Sequence, residues 1–161
     1  MPLREWQISC WGHRPQRHIF WWRHVPNMYS GTFTVSTTEQ MHLIDITHTV
    51  QKQIEDAGIG AGICYLYNPH TTAGLTINEG TDPDVQTDII NGLREIVPLQ
   101  FPFRHQEGNS PAHIMASLMG SSLTIMVDRD RLQLGAWQKI FFCEFDGPRS
   151  RKIQWRLLAA A

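Results

Sequence analysis

The sequence predicts an α+β domain, because short alternating runs typical of strands lie near both ends and helix-like segments lie between them. At 161 residues, with 42% hydrophobic and 18% charged side chains, the chain is long enough for one domain with a substantial core. Strand-like alternation begins near residue 31 and is clearest at 152–157, whereas helical spacing is confined to the interior. These observations exclude a regular β/α repeat.

The overall charge is nearly balanced. A formal charge of −1 and a pI near 6.7 give no electrostatic reason to expect nucleic acid or an anionic membrane as partner, so we expect a small polar ligand. No apolar stretch is long enough to span a bilayer, and no signal-peptide core is present, which favours the cytoplasm. Cys10, Cys64 and Cys143 have no metal-type spacing and are interpreted as reduced thiols.

Residues 1–28 differ from the rest of the chain. They contain four tryptophans and four arginines against one acid, without a helical or strand period. A basic, aromatic arm that contacts RNA or membrane is one interpretation. We favour a disordered or non-native extension, with Met28 as an alternative start, and place the domain at 29–161.

The first predicted elements are two strands and a helix. Apolar residues alternate with threonine and serine over 31–36, and a second short apolar run follows at 43–46. Thr47 is suited to cap a helix over about 47–57, because apolar side chains recur there at i, i+4 and i+7. Gly58 then ends this helix.

A polar motif occupies the middle of the chain. The strand-like run at 62–67 leads into residues 69–80, which combine hydroxyls, an imidazole, an amide and a carboxylate, and we place this motif where the strand ends. Asp82 and Pro83 then form the N-cap and first turn of a helix that continues to Pro98.

The second half of the chain begins with an irregular loop at about 99–110. Ser110 is suited to cap a short helix that runs to Gly120, and Pro111 occupies its first turn. Strand-like runs then follow at 123–127, 132–134, 137–145 and 152–157.

Three histidines stand in polar surroundings: His70, His105 and His113. Imidazoles suit proton transfer and metal ligation near neutral pH. The separation of His105 from His113 is not a recognised metal spacing, and a single histidine often caps a helix or packs in the core instead. Both interpretations stay open at this point.

Two charged groups also have a chemical and a structural interpretation. Glu79 precedes a helix, where it is either a general base or divalent-ion ligand or a complement to the helix dipole. Residues 144–149 have the composition of a tight turn. Alternatively, Arg149 forms a phosphate cradle with the hydroxyls of Thr71 and Thr72.

Several motifs together resemble the YjbQ-like family over about residues 29–158. They are Pro69-His70-Thr71-Thr72-Ala73, Thr76-Ile77-Asn78-Glu79, Asp82-Pro83-Asp84-Val85, Gly108-Asn109, Ala112-His113-Ile114, Leu134-Gly135, Trp137-Gln138 and Glu144-Phe145-Asp146-Gly147-Pro148-Arg149. The resemblance implies two packed, mostly antiparallel or mixed β-sheets with about three helices, assembled as a homotrimer. It also implies the family's label of secondary thiamine-phosphate synthase. Such an enzyme joins hydroxymethylpyrimidine diphosphate to thiazole phosphate with loss of pyrophosphate, here as a weak side activity of a transferase.

The resemblance further implies which residues form the site. The catalytic candidates are His70, Glu79, His105 and His113, and the substrate-binding candidates are Thr71, Thr72, Asn78, Asn109, Gln138, Asp146 and Arg149. His105 and His113 are also candidate ligands for a divalent magnesium, manganese or zinc ion. We expect the loops bearing these residues to converge on a small phosphorylated metabolite. The alternative is a metabolite- or metal-binding protein without turnover.

Overall fold

The computed structural model describes residues 28–160 and shows an α+β domain, which confirms the predicted class. Met28 already belongs to the first strand, and the rest of the expected extension lies outside the described residues. The elements in chain order are β1 (Met28–Ser36), β2 (His42–Asp45), α1 (Thr47–Ala57), β3 (Gly62–Tyr67), β4 (Ala73–Glu79), α2 (Pro83–Ile96), α3 (Ser110–Met119), β5 (Ser122–Asp128), β6 (Arg131–Leu132), β7 (Gln138–Glu144) and β8 (Ser150–Ala159).

The strands form two antiparallel sheets. The large sheet has the order β1-β8-β3-β5-β6, and the small sheet has the order β2-β7-β4. Strand β8 shows the alternation that its sequence predicts, since Ile153 and Leu157 are fully buried while Lys152 and Gln154 are exposed.

The small sheet is buried on both faces. Phe142 packs with the inner residues of the large sheet and of α1, whereas its neighbour Phe141 packs with α2 and α3 on the opposite face. Both rings have no exposed surface, and full burial of such a side chain stabilises the fold by about 1.5–3 kcal/mol. The large sheet, the small sheet and the helices α2 and α3 therefore form three layers, and the outer face of the large sheet faces away from the other two.

The helix termini agree with the sequence at α2 and differ at α1 and α3. Ser110 does not cap α3, because it is the first helical residue and Asn109 holds the N-cap position. The Asp82 carboxylate accepts a hydrogen bond from the Asp84 amide at 2.9 Å, and Pro83 follows it, as predicted for α2. Thr47 does not cap α1, because it is the first helical residue and its amide donates to the Asp45 carboxylate at 2.9 Å. Its hydroxyl instead accepts a hydrogen bond from the Ile140 amide at 2.8 Å, which ties α1 to the small sheet.

The polar motif at 69–80 differs from the expectation. Only its beginning is a loop, because Ala73–Glu79 forms β4 and pairs along its whole length with β7. Thr76, Asn78 and the glycine at 74 obscured the strand, although Leu75 and Ile77 follow strand spacing. His70 and Glu79 consequently lie at opposite ends of one strand.

The turn at 144–149 connects the two sheets and does not form a hairpin, since β7 pairs with β2 and β4 whereas β8 pairs with β1 and β3.

Cys64 and Cys143 are free, buried thiols, as predicted, and Cys10 lies outside the described residues. Among residues 28–160, no helix is long and apolar enough to cross a bilayer.

Candidate functional site

A cleft of about 450 Å³ lies between the loop that precedes β4 and the side of α3. The loop contributes His70 and Thr71, and the helix contributes His113 and Ser117. The remaining lining residues are Tyr67, Asn68, Pro69, Ala73, Ala116, Gly120 and Ser121. Two imidazoles and several hydroxyls therefore face one space, and none of the described lining residues is acidic. This space is called the histidine cleft below.

Asn68 shapes the loop that carries His70. Its side chain is buried, its amide nitrogen donates to the carbonyls of His70 and Ala73, and its side-chain oxygen accepts from the His70 amide at 3.1 Å. Such local bonds from asparagine to the backbone are typical of tight turns. The chain is thereby folded back before β4, which places the imidazole of His70 at the mouth of the cleft.

The ring of His70 is held in one tautomer. Its Nε2 accepts a hydrogen bond from the Lys152 amide at 2.9 Å, so the proton of the neutral ring is on Nδ1. Burial lowers the pKa of His70 below its usual 6.5, and the nearby Arg151 charge lowers it further, against weaker opposing effects of the Lys152 hydrogen bond and of Glu144. A neutral His70 presents a hydrogen-bond donor at Nδ1.

Helix α3 lines the cleft because its end lies very close to strand β4. A side chain at Gly74 would place its Cβ only 2.6 Å from the Cβ of Met119, and the Leu75 amide donates to the Gly120 carbonyl at 3.0 Å. Glycine at position 74 thus allows the end of α3 to touch the strand. His113 and Ser117 are one turn apart on this helix and line the same space.

A buried ion pair lies behind the cleft. Arg151 donates through Nε and Nη2 to the Glu144 carboxylate at 2.7 and 2.6 Å, and Nη2 also donates to the Thr72 hydroxyl at 2.9 Å. The carboxylate further accepts from the Thr37 hydroxyl and the Asp146 amide. Burial would raise the pKa of Glu144, but the hydrogen bonds from Arg151 and the Asp146 amide outweigh it and lower the pKa. The pair joins the two sheets.

This network changes the expected role of Thr72. Its side chain is buried and bonded to Arg151, and it is absent from the lining of the cleft, whereas Thr71 is exposed there. Thr71 is therefore the threonine placed to contact a ligand, and Thr72 fixes the loop.

His105 lies beside His113 but does not line the histidine cleft. The two rings meet edge to face with their centroids 5.4 Å apart, and Glu107 is 3.7 Å from His105 Nε2. No group of three histidine, cysteine or acidic side chains able to hold a metal is present among residues 28–160. Two imidazoles alone fall short of the three protein ligands of a catalytic zinc site, so the donors of one chain do not fit such a centre.

Asn109, Asp146 and Arg149 form a separate cluster beside a second cleft of about 240 Å³. Arg149 donates to the Asp146 carboxylate and to its backbone carbonyl, both at 2.7 Å, and Asn109 donates to the same carboxylate at 3.2 Å. The side-chain oxygen of Asn109 is buried without a protein partner in the part of the chain that the structure describes. Arg149 is thus committed to Asp146 rather than to the predicted threonine cradle.

The remaining candidates, Asn78, Glu79 and Gln138, lie at the far end of β4. Glu79 pairs with Gln138 across β4 and β7, and the Asn78 side-chain oxygen accepts from the Glu79 amide at 2.8 Å. The seven residues of β4 separate Ala73 from Glu79 by about 20 Å, because each strand residue advances about 3.3 Å. Within one chain, the predicted residues do not form a single site.

The sequence analysis missed Tyr67, Ser117, Ser121 and Arg151. Arg151 had a readable signal, since it is in register with Ile153 and Leu157 on the inward face of β8, and a charged residue at such a position requires a buried partner. The other three have no distinguishing sequence pattern, and only Ser117 lies on α3, the helix that contacts β4.

Comparisons with known proteins agree with these motifs. Residues 31–160 match the family model described as UPF0047 protein YjbQ-like. UPF0047 protein YugU of Bacillus subtilis is 46% identical over 128 residues, which cover 79% of this chain and 97% of that protein. UPF0047 protein YjbQ of Escherichia coli O157:H7 is 35% identical over 121 residues, covering 72% of this chain and 86% of that protein.

Solved structures share the fold. A YjbQ/UPF0047-family protein of Clostridium acetobutylicum has a TM-score of 0.77 at 46% identity, covering 79% of this chain and 98% of that one. A protein of Sulfolobus solfataricus, described as YbjQ-like and of unknown function, has a TM-score of 0.79 at 33% identity, covering 83% and 98%. The chain belongs to the UPF0047 YjbQ-like family.

Proposed function

We propose that the histidine cleft binds a small phosphorylated metabolite and that the protein catalyses a transfer reaction with loss of pyrophosphate. The reaction that the family resemblance implies is the condensation of hydroxymethylpyrimidine diphosphate with thiazole phosphate. The observation that carries the proposal is the lining of the cleft, which combines two imidazoles and several hydroxyls without a described acidic side chain. Such a lining favours an anion.

The cleft suits the leaving group of this reaction. His70 donates from Nδ1, since the Lys152 amide occupies Nε2, and the Thr71 hydroxyl offers a further donor, whereas the Ser117 hydroxyl already donates to the His113 carbonyl. Donors that are already in place stabilise the negative charge that develops on a departing pyrophosphate. His113 faces the same space from α3 and is the candidate for moving a proton.

The assembly that we propose is a homotrimer. Strand β1 is nine residues long and forms one edge of the large sheet, and no other described strand pairs with its outer side. Exposed edges of this length are commonly covered in natural proteins, and a symmetric assembly is one way to cover them. Sedimentation equilibrium measures the mass directly, and a mass of one chain would refute this part.

The test compares His70→Gln with His48→Gln, a matched change of an exposed histidine on α1. Pyrophosphate binding is measured by calorimetry, and formation of thiamine phosphate from the two precursors is measured by chromatography. We expect His70→Gln to lower turnover by about 100-fold or more and to weaken binding, with His48→Gln equal to the parent. Equal activity and equal binding in both variants would contradict the proposal.

A non-catalytic phosphate-binding protein is the second candidate. It is favoured by one observation: within a single chain, no described carboxylate lines the cleft to act as a base. Pyrophosphate binding that depends on His70, together with no product above the background rate, would support this alternative.

A further inference from the structure

We propose that the outer face of the large sheet binds the Glu79 end of a second copy of this chain, and that the second copy supplies Glu79 to the histidine cleft. The role given to Glu79 rests on the proposed function, whereas the interface itself rests on the geometry and charges described next.

The outer face of the large sheet carries an exposed apolar patch beside its polar residues, and no other described element packs on it. Its exposed apolar side chains lie on neighbouring strands, since Ile63 is paired with Met126 on β5 and with Leu158 on β8. The exposed fractions are 41% for Ile63, 37% for Tyr65, 38% for Tyr67, 70% for Met126 and 39% for Leu158. An apolar patch of this kind, continuous over three strands, is typical of a protein interface.

The patch is continuous with the cleft. Tyr67 lines the histidine cleft and also a groove of about 250 Å³ on the outer face, which it shares with Tyr65, Gln154 and Arg156. Lys152 is bonded to His70 through its amide and is exposed on this face. A partner seated on the outer face would therefore border the mouth of the cleft.

The charges of the two surfaces are complementary. Lys152 and Arg156 make no ion pair with any other residue in the range 28–160. At the far end of β4, Glu79, Asp82 and Asp84 likewise make none among those residues. Opposite charges on two exposed surfaces steer and align association.

An exposed tryptophan lies beside the acidic surface. Trp137 is 67% exposed in the turn before β7, and its carbonyl accepts a hydrogen bond from the Gly80 amide at 2.9 Å. Tryptophan is enriched at the centres of interfaces, where it fills apolar pockets. The groove between Tyr65 and Arg156 offers an aromatic wall and a cation for such a ring.

The two surfaces complete each other chemically. The histidine cleft has imidazoles but no described acid, and the other end of β4 has Glu79 but no described histidine as its strand neighbour. Because these surfaces differ, the contact is heterologous, and the proposed homotrimer is the ring that forms when three such contacts close. A second copy is the occupant that supplies the acid, the tryptophan and the charge complement together.

Cross-linking between copies tests the interface without reference to activity. Two differently tagged chains, one with Glu79→Cys and one with Lys152→Cys, are co-expressed and treated with a short bismaleimide. The control pairs Lys152→Cys with Glu55→Cys on the exposed side of α1, and each single variant and the parent give the background from native thiols. We expect a linked pair of chains for positions 79 and 152 that exceeds the control and the background.

Two results would overturn the proposed interface: cross-linking at 79 and 152 no greater than in the control, or a sedimentation mass of one chain. Complementation then tests the shared site, since His70→Gln and Glu79→Gln chains should each be inactive. Co-expressed, they should recover about a quarter of parental activity, because a random ring pairs an intact His70 with an intact Glu79 at one contact in four. No recovery in an active parent would show that Glu79 is not shared. If the parent forms no product, the cross-link still decides the interface, and the two proposals fail separately.

Discussion

Replacing Arg151 with methionine tests the most consequential interaction behind the cleft. The change keeps an apolar stem of similar length but removes the guanidinium that donates twice to Glu144 and once to Thr72. Glu144 has no exposed surface and Arg151 is only 6% exposed, so water cannot replace the lost donors without opening the contact between the sheets. The Glu144 carboxylate is then buried with an incomplete set of partners.

The expected cost is large for a single substitution. Removing one member of a buried ion pair leaves an uncompensated charge and typically costs about 3–5 kcal/mol. The Thr37 hydroxyl and the backbone amides of Phe145 and Asp146 still donate to Glu144, which places our expectation near the lower end, at about 3 kcal/mol. Adding Glu144→Gln to Arg151→Met removes the buried charge and should recover about 1 kcal/mol or more.

Urea unfolding followed by circular dichroism measures these free energies. The matched control is Glu55→Gln, which removes the exposed pair of Glu55 with Arg131 at 3.7 Å and should cost less than about 1 kcal/mol. A loss below 1 kcal/mol for Arg151→Met, or a double variant less stable than Arg151→Met alone, would refute the assignment of a buried, coupled pair.

Three further predictions concern the cleft and the core. The NMR titration of His70 should have its midpoint below pH 6.5, because burial and the Arg151 charge lower its pKa, and a midpoint at or above 6.5 would contradict the assigned environment. Since the unfolded chain then binds more protons at this residue than the folded one, acidification below pH 6.5 should decrease the free energy of unfolding. Gly74→Ala should destabilise the fold by about 1–3 kcal/mol in urea unfolding, since the added Cβ would clash with Met119. The control is Gly92→Ala in α2, whose Cβ would meet no atom within 4 Å and which should stabilise the fold by about 0.5–1 kcal/mol. Equal effects of the two substitutions would contradict the close approach of α3 to β4. Cys64 and Cys143 should resist iodoacetamide at pH 8 in the folded protein, because burial raises the pKa of each thiol to about 12, and rapid labelling seen by mass spectrometry would show that the core opens.

The sequence predicts those elements whose signals are local. The start of α2 follows from Asp82 and Pro83, which act within one turn of the chain, and the alternation of β8 follows from a single buried face. The position of β4 was harder to predict, because its buried part, residues 73–75, includes a glycine that α3 approaches closely, and Thr76, Asn78 and Glu79 in the rest of the strand are polar and only half-buried or exposed.

The order of the motifs along the chain does not predict which of the candidate site residues lie together and which lie apart. His70 and Glu79 are close along the chain, yet they flank a strand whose ends are about 20 Å apart, whereas His70 and His113 are distant in sequence and share one cleft. That proximity depends on Gly74, which lets α3 touch β4, and on Lys152, whose amide fixes the His70 ring from another sheet. Both effects arise from tertiary contacts.

The ion pair links the stability of the domain to the geometry of the cleft. Glu144 ends β7 in the small sheet and Arg151 belongs to β8 in the large one, so the pair fixes the two sheets relative to each other at the end of the molecule that carries His70. The residue after Arg151 provides the amide that holds the His70 ring, and the Arg151 guanidinium holds the loop through Thr72. Any opening between the sheets at this point therefore releases both the ring and its loop, and a substitution of Arg151 should weaken pyrophosphate binding even where the protein stays folded.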